Sequence, residues 1–213
     1  MKTALLTLFV LMAFSVSHAQ KGNFYIGGVV GFSSDASKNG AGFTTTTSSW
    51  AFAPEGGTFL QDNIQLGLAL GLTGVSSKDN NGAISTTSTL SPTVYVRKFF
   101  KVTDAFSLFG GFYLNYLNGK TTNYRPASDA SQSGIGLRLG LGLAYSLSPR
   151  FTAVGQYGLL GYQSVTNKVN GTTTTTDSSF SFGVNTVGSN TLVQGNGSGA
   201  VFNVGLYYTF KSK

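Results

Sequence analysis

Large apolar residues alternate with small or polar ones along much of this chain. From Ile64 to Leu72, Ile64, Leu66, Leu68, Leu70 and Leu72 interleave with Gln65, Gly67, Ala69 and Gly71. Side chains along a strand point to opposite faces in turn, so this spacing predicts a strand with one greasy face. The rhythm returns from Ile135 to Leu147, where leucines alternate with glycines and Arg138. Glycine at that density disfavours a helix. It returns again from Val201 to Phe210, with Phe202, Val204, Leu206, Tyr208 and Phe210 on one face and Asn203, Gly205, Tyr207 and Thr209 on the other. Weaker alternation marks strands over Asn23–Ser33, about Thr46–Leu60, about Thr87–Phe100, Phe106–Leu117 and Phe151–Ser164, which makes eight in all.

The connections alternate in length. Gln61-Asp62-Asn63, Lys101–Ala105 and Ser148-Pro149-Arg150 read as tight turns, whereas Ser34–Thr45, Ser76–Thr86, Asn118–Gln132 and Val165–Ser198 read as long polar loops. Short turns at one end and long loops at the other are the pattern of a transmembrane barrel. Which face is apolar points the same way. A soluble barrel keeps its aliphatics inside and a charged surface outside, yet the non-aliphatic faces here carry Gly, Ala, Ser, Thr, Gln and one Arg. Leucines outward into lipid and small or polar residues inward account for both faces. The expected fold is therefore all-β, an eight-stranded antiparallel up-and-down transmembrane β-barrel with short periplasmic turns and long outer loops, closed because lipid cannot satisfy open sheet edges.

Composition sharpens this reading. Of 213 residues, 41% are hydrophobic and only 10% charged, too apolar for a disordered chain and too charge-poor for an ordinary soluble surface. With no cysteine, disulfide scaffolds, thiolate metal sites and cysteine nucleophiles are excluded. Alternation places Glu55, Arg97, Arg138, Gln65, Gln156, Tyr95, Tyr113 and Asn115 in the lumen, with tyrosines filling the space opposite glycine-rich strands. Glu55 and Arg97 both lie shortly before a tight turn, so they are expected to pair in the periplasmic half of the lumen, directly or through Arg138. Two roles fit such a pair: a structural ion pair that specifies closure, or a gate or solute site. Eight strands leave an interior just wide enough for side chains, which favours a plugged or tightly wet core over a wide pore.

Lys2, the apolar run Ala4–Val16 and the small residues Ser17-His18-Ala19 have the order of a secretory signal, with cleavage expected after Ala19. The chain then divides into residues 1–19, the signal peptide, and residues 20–213, the barrel domain. His18 is the sole histidine, so the mature chain would hold none. The usual general base of a hydrolase is missing, and Asp35, Asp79, Asp129 and Asp177 are dispersed over four loops. We therefore expect no enzyme, no catalytic residue, no metal and no cofactor. Gly134-Ile135-Gly136 lacks the helix that a dinucleotide fingerprint requires. The formal charge of +7 is no nucleic-acid signal either. Its excess gathers at the short-turn end, on Lys21, Lys98, Lys101, Arg150, Lys211 and Lys213, where anionic lipid headgroups would lie.

With these strands, a leader and a terminal aromatic strand, the chain resembles the small outer-membrane barrels of the OmpA-transmembrane-domain and OmpX type over essentially all of residues 20–213. Its most specific element is Val201–Phe210, in which Phe202, Val204, Leu206, Tyr208 and Phe210 look like the insertion signal read by the barrel-assembly machinery. The resemblance implies residence in the bacterial outer membrane, with outer-membrane lipid as the surroundings and that machinery as a partner during insertion. It implies a structural or surface-interaction role with the loops as contact surface; the alternative is a narrow channel or carrier for a small solute. Any surface ligand is expected at the longest loop, Val165–Ser198. There, Phe180-Ser181-Phe182 alternates again and predicts a hairpin extension of the last two strands, able to add to a partner's edge or to fold over the barrel mouth.

Overall fold

A computed structural model of the protein describes residues 23–38, 44–80, 82, 84–123, 129–169, 173–182 and 203–210. The proposed leader, residues 1–19, and Phe202 lie outside them. Nine strands make one sheet: β1 (Phe24–Lys38), β2 (Thr44–Gln61), β3 (Ile64–Lys78), β4 (Ile84–Lys101), β5 (Phe106–Thr122), β6 (Ala130–Ser146), β7 (Phe151–Val169), β8 (Thr173–Phe182) and β9 (Asn203–Phe210). Each of β1 to β7 pairs antiparallel with its chain neighbour. The ring closes through β9, which pairs with β1 from Phe24↔Phe210 to Gly28↔Leu206 and with β7 from Phe151↔Tyr208 to Gln156↔Asn203. It is an all-β, antiparallel, up-and-down barrel.

The eighth wall position is shared. β7 meets β9 along its first six residues and β8 along its outer half, from Leu160↔Phe182 to Val169↔Thr173. A hairpin from β7 into the long loop is thus present, but β8 pairs with β7 alone among the described residues. A bulge separates the two stretches of β7: Leu139 faces Leu160 while Gly140 faces Gly158, so Leu159 is extra. One added residue reverses the face of everything beyond it. Gln156 and Gln163 therefore share the inward side despite their odd separation.

Three of the expected loops are mostly strand. β1 and β2 stay paired to Lys38↔Thr44, β3 and β4 to Lys78↔Ile84, and β5 and β6 to Thr121↔Ala130. Composition suggested loops because Ser and Thr are common in turns. Here Thr acts as a β-branched strand former, and hydroxyls bond across neighbouring strands: Thr47 with Ser77 at 3.1 Å, Thr87 with Thr121 at 2.9 Å and Thr166 with Thr176 at 3.1 Å. The barrel's strands of 15 to 19 residues in β1–β7 exceed the roughly 9 to 11 that cross the hydrocarbon, so the hairpins project beyond it. At the tip after β3, Gly82 takes φ 78°, a conformation side chains resist, and donates its N–H to the Asp79 carbonyl at 3.1 Å. At the opposite end the turn after β4 is held by Lys101 and Asp104, 2.7 Å apart; that hydrogen bond and charge lower the Asp104 carboxyl below its usual range.

Burial follows the alternation with the polarity of a membrane wall. Along β6, Ile135, Leu139 and Leu141 are 52%, 43% and 52% exposed while Arg138 between them is 7% exposed. An aromatic fringe of Phe24, Trp50, Phe100, Tyr116, Phe151 and Phe210 is exposed on the same outer face. No helix among the described residues is long and apolar enough to cross a membrane; the wall crosses with strands.

Candidate functional site: the polar plug of the lumen

The short-turn half of the lumen is filled. Arg97, on the inward face of β4 four residues before its end, is fully buried. All five of its N–H donors are directed at acceptors. Nε donates to the Tyr113 hydroxyl at 2.9 Å. Nη1 donates to Gln65 Oε1 at 3.2 Å and to the Tyr207 hydroxyl at 2.8 Å. Nη2 donates to Glu55 Oε2 at 3.1 Å and Gln156 Oε1 at 3.4 Å. Its guanidinium also lies 4.0 Å from the centre of the Tyr95 ring.

The structure brings Glu55 and Arg97 into a direct ion pair whose side chains are 1% and 0% exposed. Glu55 Oε1 accepts a second hydrogen bond from the Tyr207 hydroxyl. The Tyr113 hydroxyl donates a hydrogen bond to Gln156 Oε1 at 2.9 Å, and the hydroxyls of Tyr25 and Tyr95 bond at 2.5 Å. Six strands thus converge on one cluster, from β2 (Glu55), β3 (Gln65), β4 (Arg97), β5 (Tyr113), β7 (Gln156) and β9 (Tyr207). A charge pair withdrawn from water is tolerable only when its remaining donors and acceptors are satisfied, and this one meets that condition.

Glycine makes room for it. A side chain at Gly67 would run into the hydroxyls of Tyr25 and Tyr95 and the Tyr95 ring; one at Gly142 would strike Phe109. Beneath the ion pair, towards the short turns, the rings of Tyr25, Phe59, Phe99 and Phe109 form a floor, with centroid separations of 5.9 Å, 6.0 Å and 5.1 Å along that series. Such tilted and edge-on pairs suit the aromatic quadrupole.

Arg138 sits apart from this cluster. It is directly opposite Tyr113 in the register and stacks on that ring at 4.4 Å, but its guanidinium does not contact Glu55. Of the two arrangements expected, a direct pair or one through Arg138, the structure shows the direct contact. Two parts of the plug were missing from the sequence reading: Tyr207, and the floor of Phe59, Phe99 and Phe109. The signal was present, because each lies an even number of positions from an inward residue on its own strand.

The other expected element, the terminal strand, presents Val204, Leu206 and Phe210 outward, while Tyr208 is half-buried between Phe151 and Phe210 and accepts a hydrogen bond from Arg150 at 3.0 Å. Among the described residues no group of three or more His, Cys, Asp or Glu side chains is placed to hold a metal.

Comparison with curated protein sequences gives no match. Among solved structures the chain is similar to the outer membrane protein OprG from Pseudomonas aeruginosa, at 17% identity and a TM-score of 0.52, over 90% of this chain and 97% of that one. Neisserial surface protein A aligns over 90% of this chain and all of its own, at 14% identity and a TM-score of 0.44. The family model for the outer membrane protein beta-barrel domain matches residues 3–210. An antiparallel ring with leucines outward, its lumen closed by polar and aromatic side chains, and a family match over nearly the whole chain together place this protein in the outer membrane protein beta-barrel family, resident in the bacterial outer membrane.

Proposed function

We propose that the protein is a plugged barrel of structural or surface-interaction type, whose outward-projecting Ser/Thr hairpins form its contact surface, and not an open pore. The observation that carries this is the lumen at Arg97: a fully buried guanidinium with every donor engaged, resting over a floor of stacked rings. Water and ions cannot pass such a layer without breaking several buried hydrogen bonds at once. Single-channel recording of purified protein in planar bilayers tests it. The expected trace has no steady open level, and a long-lived conductance in the unmodified protein would overturn the reading.

A second reading, a narrow conduit for a small solute, is favoured by one observation. The lumen on the loop side of the plug is lined by small or hydroxylated residues such as Ala51, Thr73, Thr89 and Thr93, so one ion pair and one aromatic layer are all that separate it from the short-turn end. A Glu55→Gln variant that conducts would support that reading.

The remaining assignments belong to the same proposal. Residues 1–19 direct export, and the terminal strand is read by the barrel-assembly machinery. Any surface ligand binds through residues 165–198, of which the described part is the outer arm of β7 with β8. Phe180 on that arm is exposed and registers with Tyr162, level with the apolar wall rather than with the hairpin tip, so the hydroxyl-rich stretch from Thr173 to Ser179 is the contact surface. The protein carries out no hydrolysis or acyl transfer.

A further inference from the structure

Among the described residues two arginines face the lumen, Arg97 and Arg138, and one carboxylate, Glu55. Glu55 is occupied by Arg97 and Tyr207. Arg138 is 93% buried by difference from its 7% exposure, and among the described residues its only contact beyond packing is the Tyr113 ring. Among the described residues no hydrogen bond or ion pair meets its five donors. All seven Asp and Glu of the chain are among the described residues. The six other than Glu55 lie at strand ends, in turns or on projecting hairpins, so none is placed to serve it.

A guanidinium cannot escape burial by losing its proton, and a desolvated cation without a counter-charge is costly. Arg97 shows how this barrel satisfies such a group: with two amide oxygens, two hydroxyls and a carboxylate. Arg138 has the same needs and none of those partners. On its own strand Gly136 and Gly140 flank it on the inward face, and these glycines let neighbouring groups close in: the Asn115 side chain lies over Gly136, and the Tyr113 ring and the Tyr157 carbonyl lie over Gly140. The Asn115 side chain lies one step outward on β5, its Nδ2 donating to Ser91 Oγ at 3.4 Å.

We propose that Arg138 is the anchor of an anion site in the lumen, on the loop side of the plug, taking a small oxyanion of the carboxylate or phosphate class. The planar fork of a guanidinium matches two oxygens of such a group in parallel hydrogen bonds. The aromatic and ion-paired layer at Arg97 blocks passage towards the short turns, so the site is a terminus for the anion and not a stage in its transit. This goes beyond the surface role proposed above and stands whether or not the barrel conducts.

The test uses the full mature barrel refolded in detergent micelles with 15N-labelled arginine, titrated with sodium formate and, in a parallel arm, inorganic phosphate. Ionic strength is held constant with a bulky sulfonate. The Arg138 side-chain resonance, assigned by its loss in Arg138→Met, is expected to shift saturably with at least one anion while the Arg97 resonance stays fixed. Saturation in the formate arm alone assigns a carboxylate site, and in the phosphate arm alone a phosphate site. Arg138→Lys, which keeps the charge but loses the fork, is expected to raise the apparent Kd about tenfold or more, read from the anion dependence of the urea midpoint. If the Arg138 resonance does not saturate in either arm, or if Arg138→Met shows the same anion-dependent rise in urea midpoint as the unmodified protein, the site does not exist.

Discussion

At the scale of single residues, the lumen contrasts two arginines of one chemistry. Arg97 is fully partnered and fixes six strands to one another; Arg138 is buried on the face of a tyrosine alone. Removing Glu55 from the first arrangement strands a buried charge, for which about 3 to 5 kcal/mol is the usual scale. Glu55→Gln is therefore expected to unfold in detergent at clearly lower urea than the unmodified protein, followed through the fluorescence of Trp50. An unchanged midpoint would mean that the pair contributes nothing to closure. Gly67→Val tests the packing around the same cluster: with Tyr25 and Tyr95 occupying the space a side chain would need, overpacking is expected to cost about 1 to 3 kcal/mol in the same assay. Period two was enough to put Gln65, Tyr95 and Tyr113 on the inward face, since alternation fixes facing without any knowledge of neighbours. It could not show who meets across the lumen. Tyr207 reaches Glu55 from 152 positions along the chain, and only the stagger of the closed ring brings them level.

At the scale of strands, the greasy faces were legible and the ends were not. β3, β5 and β6 alternate almost without exception; β3 and β5 begin directly after their tight turns because Asp62-Asn63 and Asp104-Ala105 break the pattern, and β6 ends just before Ser148-Pro149-Arg150. Their outer ends were hidden because Ser and Thr serve both loops and strands; cross-strand hydroxyl bonds decide the matter, and these depend on register. The bulge at Leu159 was equally invisible, since two adjacent leucines in an apolar stretch do not reveal which is extra. Leu139 lies near the middle of β6 on the exposed face. Leu139→Lys is expected to lose about 2 to 4 kcal/mol of folding stability in lipid vesicles, the scale for a cation on the lipid face near the midplane. For β9, Phe210→Ala is expected to slow assembly in cells while export continues. Heat-modifiable migration of the variant at normal levels on gels would remove the terminal strand from the role of recognition signal.

At the scale of the whole molecule, the barrel separates its chemistry along its axis. One end carries tight turns, Lys98, Lys101 and Arg150 beside exposed rings, with Lys98 5.6 Å from the Phe100 ring centre and Arg150 bonded to Tyr208. The other end carries hairpins dressed in hydroxyls. Aromatic rings and cations at a headgroup layer anchor a wall in the bilayer, while hydroxylated hairpins carrying both signs of charge meet water. Fold class and sidedness were readable because they rest on composition and period, which are properties of the chain taken by itself. The full set of partners around Arg97 was not, because which side chains meet across the lumen depends on closure.

The divided eighth position has a consequence for engineering. β8 takes its register from the outer half of β7, and β9 takes its register from β1 and the first residues of β7. Neither is aligned by the other, so the outer arm of β7 with β8 can be altered without moving a rung of the closing ladder between β9, β1 and the start of β7. That makes the far end of this arm a permissive graft point, a place where a foreign peptide can be displayed on a bacterial surface at little cost to the scaffold. A ten-residue epitope placed directly after Val169, beyond the outermost rung of that arm, is expected to leave heat-modifiable migration intact and to be stained by antibody on unbroken cells; the same insert between Gly110 and Gly111, within a wall strand, is expected to abolish both.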